Sequence, residues 1–144
     1  MGQQQLLLLV LGIVIVGLAV VVGIQAFSEN QISANADAMV NDGVRIASDI
    51  QAWALKPSQF GGMGDGSLSD AEFNDLGYEA DDEYVNVNGT YTIESSVPGE
   101  CEISEHDDVI IKGENTQTGN IVCVGLGGTQ PDDIETDVVI GGSS

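Results

Sequence analysis

The sequence predicts an α+β protein: one long N-terminal helix, over about residues 6–55, packed on a small antiparallel β-sheet domain. Three observations predict it. Residues 6–24 carry no polar side chain. An apolar stripe at helical spacing then runs on to Ala54, with no proline before Pro57. From Tyr84 the pattern changes to short runs rich in Val, Ile and Tyr, bounded by Gly, Asn, Pro or Asp.

The first run reads LLLLVLGIVIVGLAVVVGI. As a helix it is roughly 28 Å long, near the roughly 30 Å of a bilayer's hydrocarbon layer. A cleaved secretory signal has a basic n-region, a shorter apolar core and a small-x-small cleavage site. Only Met1–Gln5 precede this run, without Lys or Arg, and Gln25-Ala26-Phe27-Ser28 is a weak cleavage site. The run therefore reads as retained. The N-terminal amine on one side and acidic residues on the other favour a cytoplasmic N-terminus.

The helix continues beyond the run. Ile32, Ala36, Met39, Val40, Gly43, Val44, Ala47, Ile50 and Ala54 recur in steps of three and four, opposite Asp37, Asn41, Arg45, Ser48 and Asp49. Arg45 stands three residues after Asp42 and four before Asp49, a spacing for a supporting ion pair. Pro57 pushes the residue before it out of the helical region, so the helix ends near Leu55 or Lys56. The first half, apolar all round, needs lipid or copies of itself; the second, apolar on one side, needs the C-terminal domain.

Gly61, Gly62, Gly64 and Gly66 mark 58–69 as a loop. Ser69-Asp70-Ala71-Glu72 has the capping-box pattern and Gly77 a stop signal, which predicts a short helix over 70–76. Strands are predicted near 84–87, 90–96, 108–112, 120–125 and 136–141, with Asn88-Gly89 as a two-residue hairpin turn and 141–144 as a tail. The chain thus divides into an apolar helix over 1–28, its amphipathic continuation over 29–56, a Gly-rich connector over 57–83 and a β domain over 84–144.

All charge lies beyond the apolar run. The 144 residues include 23 acidic and 3 basic side chains, a net charge of −20. That balance argues against nucleic acid and anionic lipid headgroups as partners, and suits a solvated surface, cation binding or a salty medium. Cys101 and Cys123 read as one disulfide in a domain outside the cytoplasm, with two buried thiols as the alternative. A bridge there would contribute about 3 kcal/mol through chain entropy.

Motifs for chemistry are sparse. Asp65-Gly66-Ser67-Leu68-Ser69-Asp70-Ala71-Glu72 resembles the second half of an EF-hand loop, with Asp65 and Glu72 as candidate Ca²⁺ ligands, the one cofactor the sequence suggests. Gly61 and Met63 occupy the first two ligand positions and offer no side-chain oxygen, and a glycine loop feeding a capped helix explains the same residues. Glu105-His106-Asp107-Asp108 holds the single histidine and reads as surface, and Pro131-Asp132-Asp133 as a turn. Asn88-Gly89-Thr90 is a glycosylation sequon as well as a hairpin turn. No nucleophile elbow, phosphate loop or zinc spacing is present, so no enzymatic activity is expected. Gly12, Gly17 and Gly23 cost helix stability but permit close helix approach; their spacing of five and six suits several neighbours at different heights as well as ordinary membrane-helix composition.

Taken together, Met1-Gly2 followed by Gln3-Gln4-Gln5 and the apolar run, the helix to about Leu55, Lys56-Pro57 with Gly61-Gly62, and a β domain with a cysteine pair resemble type IV pilins and pseudopilins. The resemblance covers the whole chain in architecture and the first 27 residues in motif. It implies a pilin-like fold and cleavage after Gly2, exposing Gln3 where the family usually has Phe. The family's glutamate at the fifth mature position, thought to pair with a neighbour's N-terminal amine, is Leu7 here. The implied function is a structural subunit of an extracellular filament, a homopolymer assembled through the helix, with Leu6, Leu7, Gly12, Gly17 and Gly23 on the contacts. Its implied partners are the inner membrane before assembly and pilus or type II secretion machinery. The alternatives are a pseudopilin of a secretion system and a monomeric, single-span anchored cation-binding module.

Overall fold

A computed structural model of the chain describes residues 2–105 and 107–141, and the long helix and antiparallel sheet predicted from the sequence are its framework. Helix α1 runs unbroken over Gly2–Leu55 and ends two residues before Pro57. The chain forms two compact units, one up to Gln31 and one from Ile32 onward, so the amphipathic helix, the connector and the β domain share one unit.

In the second unit, strands β1 (Glu83–Val85), β2 (Thr90–Glu94), β3 (Val109–Glu114), β4 (Ile121–Leu126) and β5 (Ile134–Val139) form an antiparallel meander in chain order. Tyr84 pairs with Tyr91, Ile93 with Ile111, Ile111 with Val124, and Val124 with Thr136. Alternation along each strand sends Tyr91, Val109, Ile111, Val122, Val124 and Leu126 to one face, where they meet Met39, Ile46, Ala47, Ile50, Trp53 and Ala54 of α1. Helix and sheet approach closely at Gly43: a Cβ there would stand 2.7 Å from Val124 Cγ2.

Side chains on α1 tie the loops to this layer. Buried Gln51 donates to the carbonyls of Gly128 (2.9 Å) and Gln130 (2.8 Å), and the Trp53 indole donates to Gly61 O (3.0 Å). Asn120, fully buried, donates to Ile32 O and Asn35 Oδ1 and accepts from Gly141 N–H. Asp42 Oδ2 accepts from Asn86 Nδ2 (2.8 Å), Asn88 Nδ2 (2.7 Å) and the Tyr91 hydroxyl (3.0 Å), and Asp49 Oδ2 accepts from the Tyr78 hydroxyl (2.6 Å).

The opposite face of the sheet is also covered. Residues 95–105, which follow β2, cross it, and the Cys101–Cys123 disulfide fixes them to β4. Cys101, Ile103, Ile110 and Cys123 form a small second core with Val97 and Ile121. Two side chains of β5 hold the crossing backbone: Asp137 accepts from Glu102 N–H (2.7 Å) and Glu135 from Ser104 N–H (3.0 Å). Lys112 lies on this face between Glu114 (2.8 Å) and Glu100 (3.6 Å); the Glu114 hydrogen bond holds its ammonium pKa above the usual lysine range.

Three expectations are corrected. Residues 70–76 form successive turns, with Ala71 N–H bonded to Leu68 O and Asp75 N–H to Glu72 O. Ala71 and Phe73 are both buried while Glu72 between them is exposed, an alternation one helix face cannot supply. The hairpin turn is centred on Val87-Asn88: Asn86 N–H bonds Gly89 O, and Asn86 Oδ1 accepts from the N–H groups of Asn88 and Gly89. Gly89 is needed because a Cβ would stand 2.6 Å from Glu114 O, and its φ is not positive. The ion pair of Arg45 with Asp42 or Asp49 does not form, since both carboxylates are drawn to donors on the β1–β2 hairpin and the preceding loop. The strands begin and end within one to two residues of their predicted limits, and 58–60 of the predicted loop forms a 3₁₀ turn. Of the predicted tail, 142–144 lie outside the described residues.

Two measurements follow. Gly43→Val drives two methyl groups into the buried Val124 side chain and should cost about 2 kcal/mol, seen as a lower urea midpoint at unchanged slope. Burial, with the Asp49 bond at Tyr78 and the Asp42 charge at Tyr91, raises both phenol pKa values well above the usual tyrosine range. The folded pKa exceeds the unfolded value of about 10, so the stabilisation is complete below that pH and is lost as pH rises above it. A 295 nm titration should show two of the three tyrosines ionising only as the second unit unfolds, and Tyr91→Phe should reduce the alkaline loss.

Candidate functional site

The first unit is a helix without a core. Every residue from Gly2 to Gln31 is exposed, and the large apolar side chains of residues 6–24 are 52–70 % exposed. Contiguous apolar surface on this scale is not stable in water and marks a membrane or protein interface. The helix is long and apolar enough to cross a membrane. All its internal backbone groups bond within the helix, the condition a lipid or bundle interior sets.

The glycines of this helix differ from those of the second unit. A Cβ at Gly12, Gly17 or Gly23 would meet nothing within 4 Å, so nothing within the chain requires them. Eleven residues make almost three helical turns, which puts Gly12 and Gly23 on one face, about 20° and roughly 16 Å apart. Ala19 falls on that face too, seven residues after Gly12 and four before Gly23. Ala19 and Gly23 thus form a small-xxx-small pair that the glycine spacing alone does not reveal. Gly17 faces a direction about 140° away. Leu6 and Leu7 are 64 % and 70 % exposed, and Gly2 and Gln3 lie in the exposed first turn, next to Met1, which lies outside the described residues.

The other candidate positions are in the second unit. Asp65 and Glu72 are both exposed; Asp65 Oδ1 accepts from Ser67 N–H (2.9 Å), and Gly66 has a φ of 81°. Among the described residues no group of three or more His, Cys, Asp or Glu side chains is close enough to hold a metal ion. His106 lies outside the described residues. Its neighbour Asp107 sits over β4, where a Cβ on Gly125 would overlap its carboxylate. The Asn88 amide nitrogen is half-buried and donates to Asp42. The network of Asn35, Asn88, Asn115, Thr118 and Asn120 has no sequence signal, because its members lie up to 85 residues apart.

Comparison with protein-family models, with curated proteins and with solved structures finds no match to this chain. A candidate N-terminal membrane span and a disulfide-bonded second unit are the features that bear on where it resides. The bridge is compatible with a location outside the cytoplasm.

If nothing within the chain needs the three glycines, Gly12→Ala, Gly17→Ala and Gly23→Ala should each leave the melting of the second unit unchanged within about 0.5 kcal/mol. Trp53 near-UV circular dichroism in detergent measures this; a shift like that of Gly43→Val would contradict it.

Proposed function

We propose that this chain is a structural, non-enzymatic subunit of an extracellular filament of the type IV pilus kind, assembled through its N-terminal helix. The observation that carries the reading is the apolar segment of α1 over residues 6–24, every residue of which is exposed. Before assembly, lipid of the inner membrane covers that surface; afterwards, the helices of other copies do. Transfer from lipid to a bundle gains little hydrophobic free energy, so close packing must drive it. Gly12, Ala19 and Gly23 on one face and Gly17 on another allow neighbours to approach from different sides. A face of one copy meeting a different face of the next is a heterologous contact, and one that does not close gives a fibre. The acidic second unit then forms the solvated outside of the filament. The resemblance of residues 1–27 and of the architecture to type IV pilins supports the same reading.

Shearing cells, sedimenting the released material and imaging it by electron microscopy tests the proposal. The protein should appear in high-mass filaments. The double substitution Ala19→Leu with Gly23→Leu should reduce filament yield at least tenfold while the second unit melts normally. Recovery of the wild-type chain only from detergent-solubilised membranes, as a monomer, would overturn the reading in favour of an anchored module. Short fibres confined to the periplasm would favour a pseudopilin.

A further inference from the structure

The three basic side chains are in two different situations. Lys112 is 16 % exposed and held between Glu100 and Glu114. Arg45 and Lys56 are exposed, and among the described residues neither has a carboxylate within 4 Å. The acids at helical spacing from Arg45 are engaged elsewhere, Asp42 by Asn86, Asn88 and Tyr91, and Asp49 by Tyr78. Arg45 and Lys56 are also eleven residues apart. Lys56 lies one residue past the end of α1, and its N–H still bonds Trp53 O (3.1 Å). The two cations therefore share one exposed face, roughly 16 Å apart along the axis. Exposed Ser48 and Ala52 flank the line between them, and half-buried Asp49 lies on it with its Oδ2 accepting from the Tyr78 hydroxyl.

The remaining charge is acidic, 23 carboxylates for the whole chain. Two copies bringing second units together at random meet as like charges, which costs free energy beyond any contact they form. The Arg45–Lys56 strip is where a carboxylate of another copy finds two exposed cations that no carboxylate of the described residues pairs with.

We infer that this strip on the outer face of α1 is the surface on which the second unit of one copy receives the acidic surface of the next. The inference rests on the filament reading and supplies its second contact, polar and outside the apolar bundle. Two cations at a rim contact act on specificity and association more than on raw affinity.

Filaments sheared from cells are treated with a zero-length carbodiimide, which joins an ammonium to a carboxylate only where the two touch. Denaturing gels should show covalent dimers whose junction peptides contain Lys56, and Lys56→Gln should remove them. The Arg45→Gln/Lys56→Gln variant should lose filament yield about tenfold with unchanged thermal melting. Wild-type yield from that variant, or dimers whose junctions all lack Lys56, would overturn the inference and leave the filament reading intact. Absence of filaments from the wild-type chain would overturn the filament reading and this inference with it.

Discussion

The contact between the second half of α1 and one face of the sheet organises the second unit. At Gly43 the helix backbone comes against Val124, the middle of β4, and this close approach lets Met39, Ile46, Ala47 and Ile50 reach the strands on either side. A five-stranded sheet of three- to six-residue strands has too little area to be stable alone, and its apolar face needs a second layer. The helix supplies that layer and also the groups that fix the loops: Gln51 for 128–130, Trp53 for Gly61, and Asp42 for the β1–β2 hairpin. With the disulfide-tethered crossing on the other face, the central strands β3 and β4 are covered on both sides, while the edge strands β1 and β5 stay largely exposed.

One helix therefore serves two environments. Up to Gln31 it has no core partner, and from Ile32 it belongs to a packed domain. Nothing in the backbone marks the change, since α1 is continuous through both. The difference lies in the side chains: apolar on every side in the first part, and in the second one stripe buried and the other holding polar groups that face partners or solvent. The glycines follow the same division. Gly43 is required by a contact seen in the chain, whereas Gly12, Gly17 and Gly23 have no such contact.

Much of this was legible in the sequence because it depends on period and local chemistry. The helix and its end before Pro57, the five strands and their antiparallel character, and the Cys101–Cys123 bridge follow from such signals. What was not legible depends on distant groups competing for local ones. The capping-box letters at Ser69–Glu72 are real, but seven residues do not nucleate a helix when the core takes Ala71 and Phe73 from the same stretch. Asn88-Gly89 fits a primed turn, yet Asp42 and the Glu114 carbonyl place the turn one residue earlier. Arg45 loses its expected partners to amides and phenols brought in by the sheet. For the candidate assembly face, Gly12 and Gly23 were visible as glycines; that Ala19 joins them emerges only from the angular geometry of the helix.

The meander makes every strand pairing local, whereas the helix–sheet contact joins residues roughly 80 positions apart, Gly43 and Val124. A ribosome adding about 5–20 residues per second reaches Val124 about 4–16 s after Gly43. During that interval the stripe from Met39 to Ala54 has left the site of synthesis without its cover. The newborn chain thus carries two uncovered apolar surfaces, and only the second is closed by its own later residues. A chain stalled or truncated before β4 would keep both open, which makes completion of the fourth strand the step that separates a folded second unit from a chain bound for degradation.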